Sequence, residues 1–400
     1  MASKLIDICS YAKGKTAVAG LTSENYISTE NMLPNKGGIT TATNLPSVEQ
    51  TQAYKKNDVL VSNIRPYFKK IWYAECDGGC SNDVLVFRAA DGIDPTFLYY
   101  VLADDTFFNY ATATSKGTKM PRGDKGAIME YSVPTFDIET QRKIGTLLLN
   151  IDQKIAVNSK INDNLLRQAQ LLFQSWFVDY LPFGGKRPDD WTEGVFADIV
   201  DFSNGYAFKS KELLDAPQPD CYRVFKQGHI FRGGGFNPDG TKSWYPRSKA
   251  DELKRYVLKK GDILMAMTDM KDNVQILGNT AIMEVDDQYI VNQRVGVLRC
   301  KKERGISYPY VFLLTNGKEF LLDLRSRANS GVQVNLSSTE IKNSPIYIAP
   351  RHVYDEFTTI VLPMFEAMIS NDIQNQQLAE LRDTLLPKLM SGEIAVTDSH

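Results

Sequence analysis

The chain has 400 residues, 43% of them hydrophobic and 24% charged, which is the composition of a folded globular protein of about two to three domains. No apolar run reaches the roughly 18 residues of a membrane span, Asp7 interrupts the first apolar stretch where a signal peptide would need one, and five scattered cysteines favour a reducing compartment, so we expect a cytoplasmic protein without a membrane partner. The formal net charge of −2 excludes a basic nucleic-acid coat, so any nucleic-acid binding must come from local patches.

Four sequence blocks occur twice in the same order. The offset between the copies grows along the chain from 191 through 204 and 211 to 213 residues. Two copies of one domain give this pattern when the second has longer loops, which chains tolerate well. The blocks are residues 5–8 with 196–199, 55–60 with 259–264, 84–88 with 295–299, and Asn158, Leu165 and Leu172 with Asn371, Leu378 and Leu385.

Residues 1–136 are predicted to form the first of two α+β globules, with strands at 58–61 and 83–87 and a helix at 95–102. Residues 14–16 resemble the end of a phosphate-binding loop. Cys9 stands where that loop requires its first glycine, so we interpret Gly14 as a turn residue and expect no ATP site. Cys76 and Cys80 lack a second ligand pair, so we expect a hairpin turn there and no metal site.

Two groups of cations in this globule suit contact with DNA phosphates. The first lies beside the aromatic residues Tyr67, Phe68 and Trp72, and the second is accompanied only by Asp124. The candidate DNA-binding residues are Arg65, Lys69, Lys70, Lys116, Lys119, Arg122 and Lys125. The alternative interpretation is a pair of solvated surface loops.

Residues 137–181 are predicted to form a long helix. Apolar residues recur there at alternating steps of three and four, which is the pattern of a heptad seam. Asn158 and Asn162 interrupt the apolar seam. A buried polar layer costs stability but fixes register and partner choice, so we assign this role to both residues.

Residues 182–350 are predicted to form the second globule, with a helix at 310–314. Its segment 223–260 contains ten Lys or Arg residues and three acids. Arginine, asparagine and glutamine side chains read base edges in the major groove. The candidate DNA-binding residues are Arg232, Lys242, Arg247, Lys271, Arg325, Arg327, Gln333 and Asn335.

Residues 351–394 repeat the helical seam, with Asn371 and Asn375 at the positions of the first asparagine pair. Arg382 departs from the apolar pattern and marks a place where the seam opens. The two helices are expected to pair antiparallel as a spacer about 57 Å long. The alternative is that each helix packs only on its own globule. With only three histidines and no recognisable catalytic motif, we expect no catalytic residues, and we interpret His229 as a polar loop residue.

Residues 171–180 and 381–394 resemble the central and carboxyl-terminal conserved regions of specificity subunits of type I restriction–modification systems. Residues 204–210 and 139–144 give weaker support, and the similarity covers essentially the whole chain. The resemblance implies two target-recognition domains (1–136 and 182–350) separated by two helices (137–181 and 351–394) that form an antiparallel coiled coil with internal pseudo-two-fold symmetry.

The same resemblance implies a non-catalytic subunit that reads a split site on double-stranded DNA. It docks two methyltransferase subunits, and restriction subunits can join them. S-adenosylmethionine, ATP and magnesium belong to those partners, so no cofactor is expected on this chain. The alternatives are a stand-alone DNA-modifying enzyme, or a protein–protein scaffold that never contacts DNA.

Overall fold

The computed structural model describes residues 3–270, 274–330 and 333–396, and for residues 329, 330 and 333 it describes the backbone alone. The chain divides into two compact units. The first comprises Met1–Val157 and Gln374–His400, and the second comprises Asn158–Ile373. The division falls within two long helices, so the domain boundaries at 136/137, 181/182 and 350/351 stay predictions.

The first unit is built from short strands and four short helices, followed by the first part of a long helix. Its strands are β1 (Ser3–Lys4), β2 (Cys9–Tyr11), β3 (Lys15–Ala17), β4 (Tyr26–Ile27), β5 (Gln50–Tyr54), β6 (Val59–Ser62), β7 (Ile71–Tyr73), β8 (Gly78–Cys80), β9 (Val84–Ala89) and β10 (Ser132–Val133). Its helices are α1 (Leu5–Ile8), α2 (Pro95–Ala103), α3 (Asp105–Ala113), α4 (Lys125–Met129) and α5 (Ile138–Phe173), the last of which continues into the second unit.

A four-stranded antiparallel sheet in the order β2-β9-β6-β7 forms the centre of the first unit. Strand β6 is buried throughout because both faces of the sheet are covered. Val59 and Val61 face the cluster formed with helices α2 and α3, whereas Leu60 faces a second cluster. That second cluster belongs to another sheet, β3-β5-β8-β4, in which β4 and β8 run parallel.

The second unit repeats this construction. Its strands are β11 (Thr192–Val195), β12 (Val200–Asn204), β13 (Cys221–Phe225), β14 (Trp244–Pro246), β15 (Ile263–Ala266), β16 (Thr268–Met270), β17 (Thr280–Ile282), β18 (Tyr289–Val291), β19 (Val295–Cys300), β20 (Asn329–Ser330), β21 (Gln333–Asn335) and β22 (Pro345–Ile348). Its helices are α6 (Tyr308–Asn316), α7 (Lys318–Ser326), α8 (Ser338–Lys342) and the first part of α9 (Arg351–Ser391).

The predicted internal repeat is confirmed by strand order. The second unit has the antiparallel sheet β12-β19-β15-β17, which matches β2-β9-β6-β7 strand for strand. Helices follow the last of these strands in the chain in both units, so the helices predicted at 95–102 and 310–314 are confirmed as α2 and α6.

A buried ion pair is repeated with the sheet. Arg88 donates two hydrogen bonds to the buried carboxylate of Asp58, at 2.7 and 2.6 Å. Arg299 does the same to Asp262, at 2.9 and 3.0 Å. Both aspartates also accept a hydrogen bond from the backbone amide three residues earlier, which closes the turn before the central strand.

The long helices pair antiparallel inside the first unit. Helix α5 begins after Asp137, whose carboxylate accepts the Thr140 amide as an N-terminal cap. Farther along, Asp152 accepts a hydrogen bond of 2.7 Å from Arg382 of α9. Arg382 therefore closes the seam with an ion pair, and the expectation that the seam opens there was wrong.

The helices pair antiparallel inside the second unit as well. Asn162 of α5 contacts Asn371 of α9, and near the end of α5 the Phe173 ring lies 6.4 Å from that of Phe357. Residues later in α5 therefore contact residues earlier in α9, so the two helices run antiparallel. The alternative in which each helix packs only on its own globule is wrong.

One turn differs from its prediction. The segment between Cys76 and Cys80 is not a hairpin turn, because Gly78–Cys80 is strand β8, which pairs with β5 and β4 in a different sheet from β7. Within the described ranges no helix is long and apolar enough to cross a membrane. The same ranges contain no group of three His, Cys, Asp or Glu residues placed to hold a metal ion.

Candidate nucleic-acid interface

Each unit brings two loops together just after its central strand. In the first unit, Ile64 and Lys116 each form a β-bridge with Arg122, and the Arg65 amide donates a 2.7 Å hydrogen bond to Pro121. We call residues 63–70 and 115–125 the first loop pair. In the second unit, β16 pairs with β21, and β21 pairs with β20.

We call the described residues within 267–279 and 328–336 the second loop pair. It occupies the same place in the repeat as the first, because the bridge of Ile64 with Arg122 corresponds to the pairing of Thr268 with Asn335. Lys116 likewise corresponds to Asn329. The sequence separations are 204 and 213 residues, as in the flanking repeat blocks. Lysine and arginine in one loop pair are replaced by asparagine in the other.

The first loop pair contains a strained turn, which we call the aromatic knuckle (residues 65–70). Arg65 and Lys69 have φ values of 50° and 51°, on either side of a short 3₁₀ turn at Pro66–Phe68. Left-handed backbone costs a residue with a side chain about 1–2 kcal/mol. The turn is held because Asn35 and Lys36 donate backbone hydrogen bonds of 2.8 Å to Phe68 and Lys69.

Three cations in or next to the aromatic knuckle have partners within the unit. Lys36 and Lys69 pair with Asp105 at 2.9 and 2.8 Å. Burial would raise the pKa of Asp105, but hydrogen bonds from both ammonium groups hold it below its ordinary value. Lys70 donates a 2.6 Å hydrogen bond to the Thr29 carbonyl, and burial lowers the pKa of Lys70.

The remaining predicted residues of the first loop pair are more exposed. Lys116 pairs with Asp124, and Arg122 pairs with Asp83 at 3.1 Å while more than half of its side chain stays exposed. Lys119 and Lys125 are exposed. The structure thus brings all seven predicted cations of the first globule onto or beside one loop pair.

Two polar atoms of the first loop pair are buried without a partner among the described residues. They are Nε of Arg65 and Oδ1 of Asn63. The Arg65 guanidinium lies 5.9 Å from the centre of the Phe68 ring, and Lys70 lies 6.0 Å from the same ring. Buried polar groups without partners are rare, so this site has hydrogen-bonding capacity that the protein itself does not use.

The second loop pair is organised by Asp269. Its carboxylate accepts hydrogen bonds from the amides of Gln275, Ile276 and Leu277, at 2.7, 2.7 and 3.1 Å. Burial opposes ionisation, yet these amide bonds hold the pKa of Asp269 below its ordinary value. The carboxylate therefore folds the loop back on itself.

Arg325 supports the same loop from helix α7. It donates hydrogen bonds to the carbonyls of Leu277 and Gln275 and to the side chain of Asn279, at 2.9, 3.3 and 3.2 Å. Burial lowers the pKa of Arg325. Its donors face the protein, so it is placed to hold the loop, and the DNA contact predicted for it stays a prediction.

The other predicted residues near this loop pair differ in their surroundings. Arg327 pairs with Asp323 and with the Asn343 carbonyl, while Asn335 is exposed on β21. Gln333 lies on the same strand, and its side chain is outside the described part of the chain. Lys271 also lies outside the described residues.

The glycine-rich loop 231–242 lies beside the second loop pair. Gln227, just before it, exchanges hydrogen bonds of 2.6 and 2.8 Å with Thr268. Arg232 and Lys242 are exposed. Arg247 lies elsewhere, 4.0 Å above the Tyr222 ring and hydrogen-bonded to the Asp287 carbonyl. Arg232 therefore lies on a loop whose preceding residues contact the second loop pair, whereas Arg247 lies among other residues.

His229 was interpreted from sequence as a polar loop residue, and this was wrong. It is fully buried, stacked 5.1 Å from Phe225, and burial together with nearby Arg223 lowers its pKa to about 4. Its Nδ1 accepts the Lys226 amide. A Cβ on Gly240 would come within 2.6 Å of the ring, so glycine is required there. His229 thus anchors the base of the glycine-rich loop.

The asparagines of the seam lie where the helices meet. Asn162 donates to the Met368 carbonyl at 3.1 Å and to Asp372 at 2.8 Å, and accepts from Asn371 at 2.8 Å. Asn158 is fully buried, and Asn375 is partly buried. The pKa of Asp372 is raised by burial to about 6. The control of register by these asparagines stays a prediction.

Known proteins resemble the chain over nearly its whole length. The family model described as the type I restriction modification DNA specificity domain matches residues 1–167 and 188–381. The specificity subunit of the type I restriction enzyme HindI from Haemophilus influenzae is 24% identical, covering 92% of this chain and 94% of that protein. The MjaIX specificity subunit from Methanocaldococcus jannaschii is 25% identical, covering 77% and 71%.

A solved structure has the same fold. The S subunit of the type I restriction–modification system from M. genitalium superimposes with a TM-score of 0.63 at 16% identity. The superposition covers 100% of this chain and 96% of that protein.

Proposed function

This chain belongs to the family of DNA specificity subunits of type I restriction–modification systems, and from that premise we propose that its two loop pairs are the surfaces that read DNA. Members of this family recognise a DNA sequence and do not themselves modify it. Each loop pair would read one half of a split site, with the paired helices setting the gap between the halves.

One observation carries this proposal. The same strand-paired loops follow the central strand in both units, and they carry side chains suited to DNA contact. Equivalent positions in the two loop pairs carry different residues, for example Arg122 in the first and Asn335 in the second. A duplicated scaffold with dissimilar loops is what two readers of different half-sites require, because base contacts specify sequence and the scaffold only positions them.

The residues divide into three roles in this proposal. Exposed lysines such as Lys119, Lys125 and Lys242 contact phosphates. Arg122 and Asn335 point to base edges, since arginine pairs with guanine and asparagine with adenine in the major groove. Asp269, Arg325 and the buried His229 hold the loops in position through their hydrogen bonds within the protein.

The partners follow from the family. Type I specificity subunits assemble with methyltransferase and restriction subunits. We infer that this chain docks two methyltransferase subunits, one for each copy of the repeat, through the paired helices and their flanks. The methyl donor S-adenosylmethionine and the ATP and magnesium used for cleavage are then bound by partner subunits.

The proposal is tested by mapping adenine methylation in cells with and without this gene, together with its methyltransferase partner. We expect methylation at a split site that disappears with the gene. The purified chain without partners should show no methyl transfer, and turnover by it alone would favour a stand-alone enzyme. A chain that fails to shift the mapped duplex even with its partner would favour a scaffold that does not contact DNA.

Side-chain readout is tested with single substitutions. Asn335→Ala and Arg122→Ala should each weaken binding to the mapped duplex by about 5- to 100-fold and relax one base position. Lys13→Ala is the control, because Lys13 is exposed and lies outside both loop pairs and outside the basic segment 223–260. Equal effects of all three variants would contradict base reading by these residues.

A further inference from the structure

The aromatic knuckle presents two neighbouring aromatic rings to solvent. The side chains of Tyr67 and Phe68 are 47% and 37% exposed, and their ring centres lie 4.8 Å apart. Single exposed aromatics are ordinary on protein surfaces. Two adjacent rings on a strained turn within a candidate DNA-binding surface indicate a surface that is covered in the working state.

The backbone under these rings is stiff. Pro66 is buried, and the residues on either side of the turn, Arg65 and Lys69, hold left-handed conformations fixed by hydrogen bonds from the neighbouring loops. Helix α3 packs against the same turn. A side chain that separates stacked base pairs must resist being pushed back, so a rigid support is what this action requires.

The charges around the rings indicate which kind of molecule covers them. Arg65 and Lys70 lie at 5.9 and 6.0 Å from the Phe68 ring, and Lys36 and Lys69 lie at the base of the turn. Aromatic rings bordered by cations match a polyanion with flat apolar groups between its phosphates. Duplex DNA has that chemistry, and apolar side chains do insert between its base steps and kink it.

We propose that Tyr67 is a wedge that inserts between two base pairs in the half-site read by the first unit, with Phe68 and its flanking cations as the support. The inference rests on the proposed function. It adds recognition by DNA deformation, which makes the first half-site selective for steps that unstack easily. The second loop pair has no aromatic residue between Thr268 and Leu277, so the wedge is assigned to the first half-site.

The test uses the full chain with its methyltransferase partner and a duplex carrying the mapped site. 2-Aminopurine replaces one base at a time across both half-sites, and its fluorescence rises when it is unstacked. We expect a rise at one step of the first half-site, apart from the methylated adenine that the partner extrudes. The first half-site is the half whose methylation motif is relaxed by Arg122→Ala.

Tyr67→Ser should abolish this rise and weaken binding by about tenfold, whereas Tyr67→Phe should retain both. Met270→Ala is the control, because Met270 is the exposed apolar residue of the second loop pair. Unchanged melting of Tyr67→Ser would show that the loss is not a folding defect, as the exposure of the ring predicts.

If the parent complex binds the duplex but 2-aminopurine fluorescence rises at no step of the first half-site, the wedge proposal is wrong and the DNA-reading proposal stands. A rise that persists in a Tyr67→Ser, Phe68→Ser double variant leads to the same conclusion. If the parent complex does not bind the mapped duplex at all, the proposed function fails and the wedge fails with it. If the full chain with its partner bound anionic vesicles through the aromatic knuckle and did not bind the duplex, the wedge proposal would also be wrong.

Discussion

Asp269 is a single residue on which the shape of the second loop pair depends. Asp269→Ala removes the acceptor of four backbone amides, and each buried amide left without a partner costs about 1–3 kcal/mol of stability. We expect a lower free energy of unfolding and weaker binding to the second half-site, with the first half-site unaffected. Denaturant unfolding and methylation mapping measure the two effects.

Glu284 gives a prediction about pH. It is buried, and burial with nearby Asp372 raises its pKa to about 8. The folded state therefore holds a proton that the unfolded state loses above about pH 4.5, so stability falls as the pH rises from there to about 8. Glu284→Gln should raise the melting temperature at pH 8 and change little at pH 4.5.

Glu366 is the matched control for that experiment. Lys260 and Tyr308 donate hydrogen bonds to its carboxylate and lower its pKa. Its contribution is present above its unfolded pKa and is lost as the pH falls through the folded value. Glu366→Gln should therefore lower the melting temperature at pH 8. A rise for both variants would mean that loss of charge, and not burial, controls the effect.

Sequence reasoning identified the cations of the loops but could not distinguish residues proposed to contact DNA from residues that stabilise the loops. Arg325 and Arg122 both stand in polar stretches of the sequence, and only the tertiary packing of α7 turns the donors of Arg325 toward the protein. His229 was missed for the same reason, since its burial depends on Phe225 and Gly240. The glycines near it were the available signal, because close packing against a ring requires a residue without Cβ.

At the scale of elements, the heptad pattern predicted the helices well because their seam is read from local spacing. It failed at Arg382, where an interhelical ion pair replaces an apolar contact. The strand at Gly78–Cys80 was also missed, because its partner strands β5 and β4 lie 24 to 28 and 53 residues earlier in the chain. Pairing of that kind leaves little local trace in a sequence of glycines.

The ion pair of Arg382 gives a prediction for the helix pair. Asp152 accepts hydrogen bonds from both Arg382 and Tyr100, at 2.7 and 2.6 Å. Arg382→Met keeps the packing of the stem but leaves Asp152 partly buried without its cation. We expect a loss of about 1–3 kcal/mol. The paired variant Arg382→Met, Asp152→Asn should recover part of it, and no recovery in this double-mutant cycle would show that the two side chains act independently.

At the scale of the whole molecule, the duplication means that the two loop pairs are stabilised independently of each other. They belong to different compact units with separate hydrophobic clusters, and each is held by its own hydrogen bonds. Substitutions that share no partner usually add within about 0.5 kcal/mol. The binding penalties of Arg122→Ala and Asn335→Ala should therefore add in the double variant, measured on the mapped duplex by titration.

The same independence fixes what methylation mapping should show. Each single variant should relax one half of the split site, the double variant should relax both, and the gap should stay constant because both residues lie on the loop pairs and not on the paired helices that set it. A changed gap, or penalties that fall well short of additive, would mean that the two units are coupled during recognition. The duplicated fold would then act as one reader, and the assignment of one half-site to each loop pair would be wrong.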